Sequence, residues 1–89
     1  MNELDPEVED DVPWSDSLTP YDEAHFITYV RLLDAEADGA DWGEVARIVL
    51  HRNAIEEPDK TRRCWENHLK RARWMTTSGY KHLLMTRSQ

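Results

Sequence analysis

Residues 58 to 78, "PDKTRRCWENHLKRARWMTTS", restrict the possible folds more than any other part of the chain. At helical spacing Cys64, Trp65, His68, Leu69, Ala72 and Met75 fall in one arc, and Arg62, Arg63, Asn67, Lys70, Arg73 and Trp74 fill the opposite one, interrupted by Glu66. Such a helix needs its apolar arc covered by other elements, because packing supplies most of its stability. Pro58 suits the first helical position and Gly79 closes the run.

The sequence offers two further helices as cover. "TPYD" opens the first: Thr19 caps it, Pro20 starts it, Asp22 and Glu23 lie in the first turn where the helix dipole favours anions, and Gly39 ends it. Phe26, Val30, Leu33 and Ala37 predict its core stripe, leaving Tyr21, Ile27, Leu32 and Ala35 as apolar surface outside that stripe. "DWGE" opens the second, with Asp41 as cap and Glu44 placed as in a reciprocal capping box; Trp42, Val45, Ala46, Val49 and Leu50 line its inner side. Asn53 and Pro58 break the pattern, so the connection from about His51 to Glu57 is longer than a usual helix-turn-helix turn. "YKHLLM" adds Tyr80, Leu83 and Leu84 as a short closing helix or anchored tail. No alternating strand pattern competes. The expected fold is all-α: residues 19 to 85 form a small helical bundle, a helix-turn-helix variant with an extended turn, and 86 to 89 a short tail. Residues 1 to 18, with seven acids and two prolines, read as a flexible acidic tail in which Trp14 and Leu18 are apolar side chains of interest, since a partner's groove can take them.

Charge is divided unevenly. Residues 1 to 44 hold fourteen acids and one base, Arg31, for −13, whereas residues 45 to 89 hold ten bases and four acids, for +6, giving the net −7. The segment 61 to 74 alone carries five of the eleven Lys and Arg and two of the four tryptophans. A domain that grips phosphates keeps other negative charge away from them, since binding draws on ion pairing and counterion release. The division argues against a simple DNA clamp and points to self-masking, or to a basic or mixed partner.

Catalytic signals are missing: no nucleophile-base pair, Gly-rich phosphate loop or paired carboxylates stand out, so the chain is expected not to be an enzyme and to need no cofactor. Cys64 and His68 stand four apart, as two zinc ligands on a helix can, with His25, His51 and His82 elsewhere. One thiol with scattered imidazoles is a poor ligand set, and Cys64 reads as a small core residue; no metal is expected. A lone cysteine, an acidic N-terminus and no long apolar run predict a soluble, cytoplasmic chain with no membrane association.

The strings "PYDEAHFITYVRLLDAEADGADWGEVARIVLH" and "RRCWENHLKRARWMTTSGYKHLL", over about residues 20 to 84, resemble the DNA-binding domain family of the type VI secretion regulator RovC. The resemblance implies an extended-turn helix-turn-helix. In two-domain activators of the FseA type, encoded on conjugative elements, this domain follows a separate N-terminal domain and binds DNA through a basic face. Stand-alone acidic members of the QseM type are antiactivators, and the acidic balance here is similar to theirs. On that resemblance the chain is expected to be a monomeric antiactivator that docks on an FseA-type activator, with a quorum-sensing activator as a further candidate partner, and so blocks activation of conjugative transfer genes. The alternative is a DNA-binding regulator whose face would fall on Arg62, Arg63, Asn67, Lys70 and Arg73. Candidate protein-docking residues are Trp14, Tyr21, Ile27, Arg31, Leu32 and Trp74.

Overall fold

The computed structural model describes residues 7–79. Four α-helices follow one another, α1 (Pro20–Ala24), α2 (Phe26–Ala37), α3 (Trp42–Val49) and α4 (Pro58–Trp74), and α4 runs on into a π-helical turn, Met75–Gly79. No strand occurs among the described residues, and the all-α expectation holds. Tyr80, Leu83, Leu84 and the tail 86 to 89 lie outside them.

The helix starts form where their caps predict. The Thr19 hydroxyl accepts the Asp22 amide at 3.1 Å while the Asp22 carboxylate accepts the Thr19 amide at 3.0 Å, a full reciprocal box. Asp41 accepts the amides of Gly43 and Glu44 at 3.1 and 3.3 Å, but the Glu44 side chain turns to Arg47 at 2.7 Å, so the box predicted there is one-sided. Gly39, at φ +71°, provides the left-handed residue that ends α2.

The predicted first helix is interrupted at His25, whose φ of −117° and ψ of 20° break the helical path between α1 and α2. Its ring stacks on Tyr21 with centroids 3.9 Å apart. After this break α2 buries Thr28, Tyr29 and Leu32, whereas Val30 is 56% exposed and Ala37 is exposed. The predicted core stripe is therefore displaced. Apolar residues occur on both sides of α2, and the side that carries Tyr29 wins because its hydroxyl reaches the buried Asp22 carboxylate at 2.9 Å. Leu32, expected on a docking surface, is in the core at 1% exposure and leaves the candidate set.

Leu32, Val45, Ala46, Val49, Leu50, Cys64 and Leu69 form the core, with Trp42 and Trp65 packed against it. The inner arc of α4 is as predicted, with two additions: Thr61 and Arg71 are also buried. Between α3 and α4 the long turn is built around Asn53, whose side-chain oxygen accepts the amides of Ile55 and Glu56 at 2.9 and 3.1 Å and whose carbonyl accepts the Thr61 hydroxyl at 3.1 Å. Residues 7 to 18 carry no helix, as their sequence predicts. They nevertheless lie against the helices, and Val8 joins the core at 4% exposure.

Candidate nucleic-acid interface

The outer face of α4 presents Arg62, Arg63, Asn67, Lys70 and Arg73, and the structure brings all five together on one helix. Each meets another group of the chain. Arg63 donates from Nε and Nη2 to the two oxygens of Asp11, both at 2.8 Å, in the fork geometry of a guanidinium on a carboxylate or phosphate. The Asp11 carboxylate raises the Arg63 pKa further. Asn67 donates to the same Asp11 at 2.9 Å and to the Asp10 carbonyl at 3.4 Å. Lys70 Nζ sits 5.6 Å from the centre of the Trp14 ring. Arg73 forks onto the Glu36 carboxylate of α2, and Arg62 lies over the rings of both Trp42 and Trp65, 4.9 and 5.0 Å from their centres.

Two further cations belong to this face and were not singled out in the sequence. Arg52, from the long turn, approaches Asp10 at 2.8 Å and donates to the Val8 carbonyl at 2.6 Å; Lys60 stands 3.7 Å from the other oxygen of Asp10. Asp10 and Asp11 thus lie within hydrogen-bonding or ion-pairing distance of four donor side chains, Arg52, Lys60, Arg63 and Asn67. Only the sum of charge over the two halves of the sequence hinted at such self-masking.

The N-terminal segment is held at both ends. Beyond Val8, the Glu9 carbonyl accepts the Cys64 thiol at 3.4 Å and the Glu9 amide donates to the Tyr21 hydroxyl at 3.0 Å. At the other end Arg71 donates to the Ser15 and Ser17 carbonyls at 2.7 and 3.0 Å, with its guanidinium carbon 3.7 Å from the Trp74 ring centre and 4.8 Å from that of Trp14. Arg71 also donates to Asp22, from Nε at 2.9 Å and Nη2 at 2.5 Å. Burial alone would raise the Asp22 pKa, but the bonds from Arg71, the Thr19 amide and the Tyr29 hydroxyl, with the Arg71 charge, lower it overall. The signal for Arg71 was available: it stands at i+7 from Cys64, in the apolar arc, and a charge there needs a buried partner.

His68 Nδ1 donates to the Cys64 carbonyl at 2.7 Å, which fixes Nε2 as acceptor for the Tyr21 hydroxyl at 2.6 Å. Burial pulls His68 down to about 4 and pushes Tyr21 up to about 12 and Cys64 up to about 11. Among the described residues no cluster of three or more His, Cys, Asp or Glu is arranged to hold a metal. His82 lies outside them.

Of the candidate docking residues, Tyr21 is half-buried in the His68 network, and Trp14 and Trp74 meet edge-on with centroids 6.1 Å apart around Arg71. Ile27 and Arg31 are exposed on α2. Beside them an apolar recess of about 360 Å³ is lined by Phe26, Tyr29, Val30, Leu33, Ala72 and Met75.

No helix among the described residues is long and apolar enough to cross a membrane. No curated protein compared with the chain matches it. One family model does match, over residues 3–85, so the matched region takes in most of the acidic segment as well as the helices. The chain belongs to this family, RovC_DNA-bd, the DNA-binding domain of a T6SS transcription factor.

Proposed function

We propose that this member of a DNA-binding domain family acts as an antiactivator, docking on the partner domain of a transcriptional activator by imitating that activator's own DNA-binding domain. The observation that carries the reading is the state of the α4 face: Arg63 and Asn67 are engaged by Asp11, Arg52 and Lys60 by Asp10, and Arg73 by Glu36. A helix so engaged presents little uncompensated positive charge to a phosphate backbone. The helical shape of the family is kept while its ligand is opposed.

The docking surface we assign is the outer side of α2, where Ile27, Val30 and Arg31 are exposed next to the apolar recess. An aliphatic patch with one guanidinium suits the desolvated centre of a protein interface. The partner is an activator of the FseA type, or a quorum-sensing activator, controlling transfer genes of conjugative elements. The test is calorimetric titration of this chain with the N-terminal domain of such a two-domain activator. A stoichiometric complex that excludes the activator's own DNA-binding domain is the expected result; no association under conditions where that domain binds would refute the proposal.

Family membership itself favours a second reading, a regulator that binds DNA through α4. Fluorescence anisotropy with promoter duplex at low salt separates the two, because tight, sequence-selective and steeply salt-dependent binding by the unaltered chain supports only the regulator.

A further inference from the structure

The geometry points to residues 9 to 14 as a built-in, displaceable stand-in for a nucleic-acid backbone, with Asp10 and Asp11 occupying the positions of two phosphates on the face of α4. This goes beyond the antiactivator reading. It assigns the loss of DNA affinity to two named carboxylates and makes that loss reversible.

Three observations carry it. First, Asp11 takes from Arg63 the two parallel bonds at 2.8 Å, and from Asn67 a third at 2.9 Å, that an anionic oxygen pair of a phosphate would take. Second, Lys60, Arg63, Asn67 and Lys70 follow one another at steps of three and four along α4, so residues 10 to 14 cover the row that a helix lying in a groove presents. Third, the segment is fastened firmly at its ends and weakly in its middle. Val8 is in the core and the Ser15 and Ser17 carbonyls are held by the buried Arg71. Between them the Asp11 side chain is 58% exposed, where ion pairs are screened and exchange readily with other anions, and that of Asp10 is 38% exposed, its Oδ1 buried beside Arg52 without a hydrogen bond. Such a strap can lift at the centre without unfolding the domain.

The experiment replaces both acids in the full chain, Asp10→Asn with Asp11→Asn, and measures anisotropy with a short labelled duplex of arbitrary sequence across a salt series. We expect affinity at low salt to rise about tenfold or more, with a log–log salt slope steeper by about two to three, since each newly neutralised phosphate contributes about 0.9. Adding Arg63→Glu to that variant is expected to remove the gain. Asp34→Asn with Asp38→Asn, an equal change in net charge on and just after α2, is the control and is expected to give little. The Asn67 side-chain amide resonances report the contact directly and are expected to move in the Asp10/Asp11 variant. Absence of the affinity gain, an equal gain in the α2 control, or Asn67 resonances that do not move each overturns the inference. Calorimetric titration of the same variant with the activator domain reads the antiactivator proposal separately, because the docking surface on α2 is untouched.

Discussion

Replacing Arg71 by Met tests the arrangement that fastens residues 14 to 22 to α4. The side chain is fully buried, and so is its partner Asp22. The substitution keeps most of the volume but removes two bonds to Asp22 and those to the Ser15 and Ser17 carbonyls. Asp22 then retains only the Tyr29 hydroxyl and the Thr19 amide. Removing one partner of a buried pair leaves an uncompensated charge and costs about 3–5 kcal/mol. A domain of 89 residues has roughly 4–13 kcal/mol in total, so the variant is expected to sit near the edge of folding. Each kcal/mol lowers Tm by about 4–8 °C in a domain of this size, which puts the fall at about 12–40 °C.

The assay is urea and thermal unfolding followed by circular dichroism and by tryptophan fluorescence, since Trp14 and Trp74 flank the guanidinium. Asp22→Asn combined with Arg71→Met should cost clearly less than the sum of the two single changes, with a coupling of about 2 kcal/mol or more. Exposed Arg63→Ala, despite its well-formed fork onto Asp11, should cost far less, because solvent screens an exposed pair. If Arg71→Met costs no more than Arg63→Ala, the buried pair does not hold the segment, and the reasoning from burial fails.

Acid should loosen the fold through His68. Its pKa in the fold, about 4, lies below the 6.5 of an ordinary histidine, so the folded state favours the neutral ring; the associated stability is complete above about pH 6.5 and is lost as pH falls towards 4. The loss is up to about 3 kcal/mol, read as the difference in urea midpoint between pH 7 and pH 4.5, and His68→Gln should flatten it. Gly39→Ala should cost about 1 kcal/mol in thermal unfolding through backbone strain alone, because φ is +71° and the added methyl meets nothing. Ile27→Asp with Val30→Asp should weaken binding to the activator domain about tenfold or more while leaving Tm nearly unchanged, both side chains being exposed. An undiminished complex would take the docking surface away from α2.

What the sequence made legible were features that local chemistry decides. Thr19 with Pro20, Asp41 and Pro58 mark the helix starts because unsatisfied amides at a helix end need particular partners. The inner arc of α4 was readable because its opposite arc is so strongly charged. In α2 the same method misplaced the buried side, since apolar residues surround much of the helix and the choice between sides is made by Tyr29 reaching Asp22 on α1. That contact joins two elements and leaves no periodic trace. The four basic residues and Asn67 of the α4 face followed from spacing, whereas Asp10, Asp11, Arg52 and Lys60 required knowledge of where an irregular segment lies.

The net charge of −7 is a poor guide to what α4 can bind. At cellular ionic strength charges are screened over about 8 Å, so most exposed acids elsewhere on the molecule exert little force on an anion arriving at that helix. Asp11, 2.8 Å from Arg63, acts by a different principle: it competes for the same donors. Removing distant acids therefore changes the long-range field modestly, whereas removing Asp10 and Asp11 restores empty hydrogen-bond donors to the surface. On the proposed reading, a member of a DNA-binding domain family is kept from that ligand by two carboxylates lying on its basic helix, with the helix itself, its caps and its core left intact. Should the Asp10/Asp11 variant gain DNA affinity as expected, the position of the N-terminal segment, more than the composition of the chain, decides whether α4 is open to a phosphate backbone.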